Sequence, residues 1–252
     1  MYPFIYIGSI SLPSYGVMCA LGVIAALVFS MFFVHKAQLR MDIALVLFTG
    51  ALAFGLIGAL LWYTFVTYSI NDLYRLITGG AFFQEFEFGF VYYGGFLFGF
   101  ASAFLLSKLL RFPLAPYARQ MLPSLPLAHA FGRIGCFLAG CCYGVESRLF
   151  GICYPVSNSV SFVPKGIPLL PVQLIESFLL IVIAIVLAHI SQKSKLNILK
   201  AYILAYAPVR FTLEFFRGDA IRGFVMGLST SQWISLFLII LALLPVKSRL
   251  KG

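Results

Sequence analysis

Long apolar stretches recur along the chain with only short polar segments between them. Their length and all-round hydrophobicity predict buried helices, since a strand half-exposed to water would alternate apolar and polar positions. A hydrocarbon layer about 30 Å thick takes roughly 20 apolar residues to cross as a helix. Such spans are predicted at about residues 16–34, 43–66, 90–110, 122–143, 171–190, 199–217 and 231–246. The first follows Tyr15 with no basic run before it and no small-residue cleavage site after it. It therefore reads as a retained first helix and not as a removable signal peptide. In the connection 67–89, Ile70, Leu73, Tyr74 and Ile77 fall at helical spacing, which suits an interfacial helix as well as an ordinary capping loop. The connection 144–170 is rich in Pro, Gly, Ser and Val and reads as irregular loop or short strand, of a length common among lids.

Composition turns these spans into a fold class. Of 252 residues 62% are hydrophobic and 10% charged, more apolar surface than one soluble core could hide. The expectation is an all-α membrane protein of about seven transmembrane helices, forming a single polytopic membrane domain over residues 1–252. The net charge of +10 does not point to nucleic acid, because the basic residues are scattered through short loops. Their placement reports topology instead. One side collects Lys36, Arg40, Lys108, Arg111, Arg119, Lys193, Lys195, Lys200, Lys247, Arg249 and Lys251, and the other only Arg75, Arg148, Lys165, Arg217 and Arg222. Positive charge stays on the cytoplasmic side, which sets the N-terminus outside and the C-terminus in the cytoplasm.

Charges at membrane depth mark candidate chemistry, since each is costly without a partner or a wet cavity. Arg133 lies in the middle to outer half of the fourth span, and Arg210 and Glu214 share one face of the sixth at four-residue spacing. Gln173 and Glu176 sit near the outer end of the fifth span, Tyr15 opens the first, and Tyr92 and Tyr93 lie near the outer end of the third. Two guanidiniums at one depth suit a phosphate, which arginine grips through paired N–H donors. An anionic phospholipid headgroup is the natural ligand. The alternative is purely structural: Arg210 paired with Glu214, and Arg133 with Glu176. Gly94, Gly95 and the stretch GRIGCFLAGCCYG at 132–144 allow backbone to approach a ligand or another helix closely.

Cys136, Cys141, Cys142 and Cys153 fall within 18 residues, with Cys19 in the first span. Their spacing matches no usual zinc pattern, and no metal or organic cofactor is read from the chain. A disulfide from Cys153 to Cys141 or Cys142 suits an oxidising outer face. A thiolate nucleophile beside Arg133 is a further reading, against inert packing. His129 is either a base or a helix-to-helix hydrogen-bonding group, whereas His35 and His189 lie near the cytoplasmic ends.

At these residues the sequence resembles the prolipoprotein diacylglyceryl transferase family. The resemblance is carried by SYGVM at 14–18, YGGFLFG at 93–99, GRIGCFLAGCCYG at 132–144, PVQLIES at 171–177 and AYAPVRFTLEFFRGD at 205–219. It implies a seven-helix enzyme of the bacterial inner membrane that moves the diacylglyceryl group of phosphatidylglycerol onto the lipobox cysteine thiol of a prolipoprotein signal sequence, releasing glycerol phosphate. By the same resemblance Arg133 and Arg210 match essential arginines, Glu214 and Tyr206 the polar residues flanking the second, Tyr15 the tyrosine opening the first span, and Gly144 the glycine closing the signature. Three positions depart from the pattern: Tyr93 stands where the family usually has His, Cys136 where it has Asn or an equivalent polar residue, and Cys141 where Glu is common. The fifth-span motif has Val172 and Gln173 where Pro-Ser-Gln or similar is typical, with Glu176 retained. The expected catalytic residues are Arg133, Arg210, Tyr93 and Glu214; Tyr15, Tyr206, Gly94, Gly95, Gly144, Gln173 and Glu176, with Arg133, are expected to bind substrate. The proton acceptor stays unassigned. Alternatives are a divergent paralogue with another acceptor, and a phospholipid-binding membrane protein without chemistry.

Overall fold

The computed structural model describes residues 2–69, 71, 78, 92–154, 163–164, 166–219 and 224–244. Seven of its described helices fall where the apolar stretches predict them, and one short helix lies between two of those stretches: α1 Ser14–Lys36, α2 Met41–Thr67, α3 Tyr92–Leu109, the short α4 Leu114–Met121, α5 Ser124–Ala139, α6 Val172–Lys193, α7 Ile198–Glu214 and α8 Thr230–Leu243. Three of them, α1, α2 and α6, are long and apolar enough to cross a membrane, and shorter apolar helices occupy Gly94–Leu109 and Thr230–Leu243. The chain is an α-helical membrane protein. Lipid accounts for the outward Phe32, Phe65, Phe178 and Phe237, each more than half exposed, which in water would be costly.

The chain divides into two compact units, Val34–Ala118 and the remainder. Within Val34–Ala118, α2 and α3 meet through small residues. A Cβ at Gly94 would collide with the Gly58 carbonyl and the Trp62 side chain, and one at Gly55 would lie 3.2 Å from the Gly95 carbonyl oxygen. Between helices in lipid, where burial gives little driving force, such close backbone approach supplies the packing.

The other unit is assembled around α6. Leu180 and Leu187 are fully buried, and Ile183 and Leu187 cluster with Tyr202 of α7. Gly22 of α1 lies against Ala128 and Phe131 of α5, and Ser30 donates to Ser124 at 2.8 Å between the same helices. The C-terminal end of α6 is closed by Arg119, whose guanidinium donates to the carbonyls of Ile190, Ser191, Ser194 and Leu196. A cation there meets both the orphaned carbonyls and the negative end of the helix dipole. Asn197 then caps α7, accepting from the Lys200 amide at 3.1 Å, and Ser229 forms a capping box with Gln232 at the start of α8.

Short antiparallel pairs precede α1 and lie among the described residues between helices, and the described part of 144–170 is loop with short strand, as its composition predicts. Phe4–Ile7 (β1) pairs with Ile10–Pro13 (β2), Ile152–Cys153 (β3) with Pro168–Leu169 (β4), and Phe224–Val225 (β5) with Leu228–Ser229 (β6). Ile70, Leu73, Tyr74 and Ile77, expected as an interfacial run or a capping loop, lie outside the described residues.

Candidate functional site

Three helices of one unit bring their charges to a single point. Glu176, one turn into α6, lies with Arg133 Nε at 3.1 Å and Arg210 Nη1 at 3.8 Å from its Oε2, while its Oε1 accepts from the Tyr206 hydroxyl at 2.8 Å. Arg210 Nη2 meets Glu214 Oε2 at 2.7 Å, one turn along α7, and lies 3.4 Å from Ser231 Oγ of α8. The carboxylates are only 4% exposed, and the guanidiniums 14% and 13%. Both structural pairings expected from the sequence therefore form, and Glu176 serves two arginines instead of one.

Local sequence explains the placement. Pro208 inside α7 supplies no N–H to the carbonyl four residues back, which loosens the helix one half-turn before Arg210. Tyr206 is held by stacking on Tyr202, with ring centroids 5.8 Å apart, and by the edge of His129 at 5.4 Å. That ring contact sets His129 of α5 against α7.

The arrangement is electrically balanced but leaves donors over. Arg133 and Arg210 set two positive charges against Glu176 and Glu214. The Nε of Arg133 and Nη1 of Arg210 reach Glu176 at ion-pair distance without an aligned hydrogen bond. Arg133 approaches Glu176 through Nε, the inner nitrogen of its guanidinium. Such a pair can grip an anion that accepts several N–H bonds at once.

The remaining expected site residues separate into groups. Tyr15 lies against α5: a Cβ on Gly135 would stand 3.1 Å from its ring. Gln173 is buried and donates to the Cys141 carbonyl at 2.7 Å and toward the Tyr154 hydroxyl at 3.4 Å, which ties α6 to the loop following α5. Gly144 sits at a backbone crossing, its N–H on the Leu170 carbonyl at 3.0 Å, and an added Cβ would strike that carbonyl and the Phe216 carbonyl. Close packing accounts for Gly144, and likewise for Gly94 and Gly95, which face α2 within the other unit. Tyr93 is in the first turn of α3, and its side chain lies outside the described residues.

Two features escape a linear reading. Ser231 is unremarkable in sequence and gains significance only when α8 sets it beside Arg210. The cysteines are the second. The expected bond from Cys153 to Cys141 or Cys142 is not formed, and all five thiols are free. Instead Cys136, Cys141 and Cys142 converge, their Sγ atoms within 4.8 Å of one another. The chain reverses at Gly140, with φ at 75°, and Cys142 takes the left-handed φ of 58° that is uncommon outside glycine. No spacing rule foretells that reversal.

A model of the prolipoprotein diacylglyceryl transferase family matches residues 3–246 of the chain. The chain is similar to a phosphatidylglycerol–prolipoprotein diacylglyceryl transferase of Clostridium tetani (strain Massachusetts / E88), 36% identical over 232 residues that cover 91% of this chain and 90% of the relative. It is also similar to two such transferases of Clostridium perfringens (strain 13 / Type A). One is 38% identical over 174 residues, 68% of this chain and 66% of the relative; the other is 28% identical over 255 residues, 95% and 91%.

Proposed function

Since the chain belongs to the prolipoprotein diacylglyceryl transferase family, we infer that it transfers the diacylglyceryl group of phosphatidylglycerol to the lipobox cysteine thiol of prolipoproteins, releasing glycerol phosphate. The observation that carries the site assignment is the buried cluster in which Arg133 and Arg210 share Glu176. The substrate phosphodiester enters with one negative charge, and the departing glycerol phosphate carries two. Arg133 and Arg210 hold the phosphoryl oxygens and stabilise the charge that grows there, which weakens the bond from phosphate oxygen to glyceryl carbon. Glu176 and Glu214 fix the guanidiniums beforehand, so little reorganisation is left for the reaction itself. The hydroxyl of Tyr206 orients Glu176, and Tyr15 lines the approach beside α5.

The same reading takes residues 1–252 as a single membrane domain of seven spans in the bacterial inner membrane, N-terminus outside and C-terminus in the cytoplasm. The eleven-to-five distribution of basic residues supports that orientation. Reporter fusions at the C-terminus test it: activity of a periplasm-only reporter there would refute it.

The function is tested with purified protein in detergent, phosphatidylglycerol labelled in its diacylglyceryl part, and a lipobox peptide. Label is expected on the peptide thiol and is expected to disappear in Arg133→Ala and Arg210→Ala. Absence of transfer beside an active control enzyme would overturn the assignment.

A further inference from the structure

We propose that Cys136, Cys141 and Cys142 form a trithiolate site for a soft divalent metal ion, zinc in the first instance, with one coordination position open to the acceptor thiol. The inference rests on the transferase reading above and supplies what that reading lacks, a means of presenting the acceptor as thiolate.

Geometry carries it. The three Sγ atoms lie within 4.8 Å of one another. Zinc–sulfur bonds of about 2.3 Å require thiolates about 3.8 Å apart, so each sulfur needs to move inward by less than about 1 Å. All three side chains are half-buried, neither sealed in the core nor fully in solvent. The Cys141 thiol points to the Cys136 carbonyl oxygen at 3.6 Å, which holds its sulfur on the side of the other two. The backbone is committed to the arrangement: the Cys141 amide donates to the Cys136 carbonyl at 3.0 Å, Gln173 holds the Cys141 carbonyl at 2.7 Å, and Cys142 occupies its left-handed conformation. A non-glycine residue in that conformation is disfavoured and persists where its surroundings demand it.

Charge agrees. Three thiolates and one divalent ion sum to one negative charge. Arg133 lies close enough to Cys136 and Cys142 for its charge to bear on them, and Arg217 close enough to Cys142. The site thus adjoins the guanidinium proposed to hold the phosphate, as attack on the adjacent glyceryl carbon requires. Three protein ligands plus one open position is the pattern of a reactive zinc site, whereas a purely structural site is closed by a fourth ligand. A thiol that occupies the open position is held as thiolate. The step then balances: the acceptor sulfur forms a bond to the glyceryl carbon, the bond from that carbon to the phosphate oxygen breaks, its electron pair leaves on glycerol phosphate, and the thiol proton passes to solvent. Nothing is oxidised or reduced.

The test is cobalt titration of the purified, metal-stripped full-length protein, followed by optical absorption. One cobalt per chain is expected, with sulfur-to-cobalt charge-transfer bands and the visible bands of a four-coordinate ion. They should be displaced by zinc, lost in Cys136→Ser and in Cys141→Ser, and kept in Cys153→Ser. Should a serine variant fail to fold, protection of Cys136, Cys141 and Cys142 from alkylation by added zinc, read by mass spectrometry on the wild-type chain, decides the same question. Absence of thiolate-to-cobalt bands, bands that persist in both variants, or a disulfide among the three in unreduced protein would each overturn the site. Metal removal is expected to lower transfer to the lipobox peptide by about 10²-fold, the scale of a lost proton acceptor, with recovery on adding zinc. Full transfer by the metal-free protein would overturn the acceptor's place on the metal and leave the transferase reading intact. No transfer with or without zinc, beside an active control, would overturn the transferase reading, and the cobalt spectrum would still decide the metal site.

Discussion

Replacing Glu176 by Gln separates a ligand-sharing carboxylate from a merely structural one. In the wild-type chain two guanidiniums are balanced by Glu176 and Glu214, with Glu176 approached at 3.1 Å by Arg133 and at 3.8 Å by Arg210. The amide keeps the shape and one acceptor for Tyr206 but leaves one buried positive charge uncompensated. Removing one partner of a buried pair costs about 3–5 kcal/mol, and the retained acceptor oxygen argues for the lower figure. At 2–4 °C per kcal/mol for a chain of this size, Glu176→Gln should melt roughly 6–12 °C below wild type in neutral detergent. A phosphodiester monoanion bound between the arginines restores the balance. Phosphatidylglycerol should therefore return most of that loss; a hundredfold excess over Kd supplies about 2.7 kcal/mol by mass action alone. The assay is a thermal melt of both proteins with phosphatidylglycerol and with zwitterionic phosphatidylcholine. Equal increments from phosphatidylglycerol in both proteins, or a variant as stable as wild type, would refute the sharing of Glu176's counter-charges with a lipid phosphate.

Three other substitutions probe separate parts of the structure. Tyr206→Phe keeps the stacking on Tyr202 and removes the 2.8 Å hydrogen bond to Glu176, a bond to a charged group worth about 1.5–3 kcal/mol. Transfer rates should fall by about tenfold or more with little change in the far-ultraviolet circular dichroism; an unchanged rate would remove the orienting role. Gly94→Leu drives a side chain into the Gly58 carbonyl and Trp62, and overpacking of that kind costs about 1–3 kcal/mol or more. Yield of folded protein on size exclusion should drop sharply, and a wild-type profile would disprove the close approach of α2 and α3. Ser229→Ala removes the capping box of α8, with an expected loss of about 1 kcal/mol on thermal melting, whereas Ser229→Asn should retain most of the wild-type stability.

Helices were legible in this chain because lipid imposes one simple demand, a run of apolar residues long enough to cross. All the described helices longer than ten residues coincide with a predicted apolar stretch. The pairing of Arg210 with Glu214 was equally legible, since residues four apart on a helix must meet. Glu176 was recognised as a site residue, but not as the point where α5, α6 and α7 converge, because the relative rotation of three helices is set by packing that no single segment encodes. The cysteines show the same limit more sharply. Cys136 ends a helical turn while Cys141 and Cys142 follow a left-handed reversal at Gly140, so a spacing that fits no metal motif still yields three adjacent sulfurs. At Gly144 the sequence leaves close packing and approach to a ligand both open, and the structure adds that two carbonyls of the chain itself stand where a Cβ would go.

The neutrality of the charge cluster bears on catalysis as well as on stability. Had Arg133 and Arg210 stood unpaired in a low-dielectric interior, their desolvation would have favoured any anion at all times, product included. Paired as they are, their hold on a phosphate depends on how much charge that phosphate carries. A diester monoanion competes for the guanidiniums against two fixed carboxylates, whereas the dianion that develops as the carbon–oxygen bond breaks competes better. The preference is therefore greater for the transition state than for the bound lipid, which is the condition for a binding interaction to speed a reaction. The carboxylates also keep the arginines in place between turnovers, so glycerol phosphate can leave without the site having to refold around bare charge. On this argument Glu214→Gln and Glu176→Gln should each tighten product inhibition by glycerol phosphate while lowering turnover, and a variant with unchanged inhibition would show that the carboxylates only support the fold.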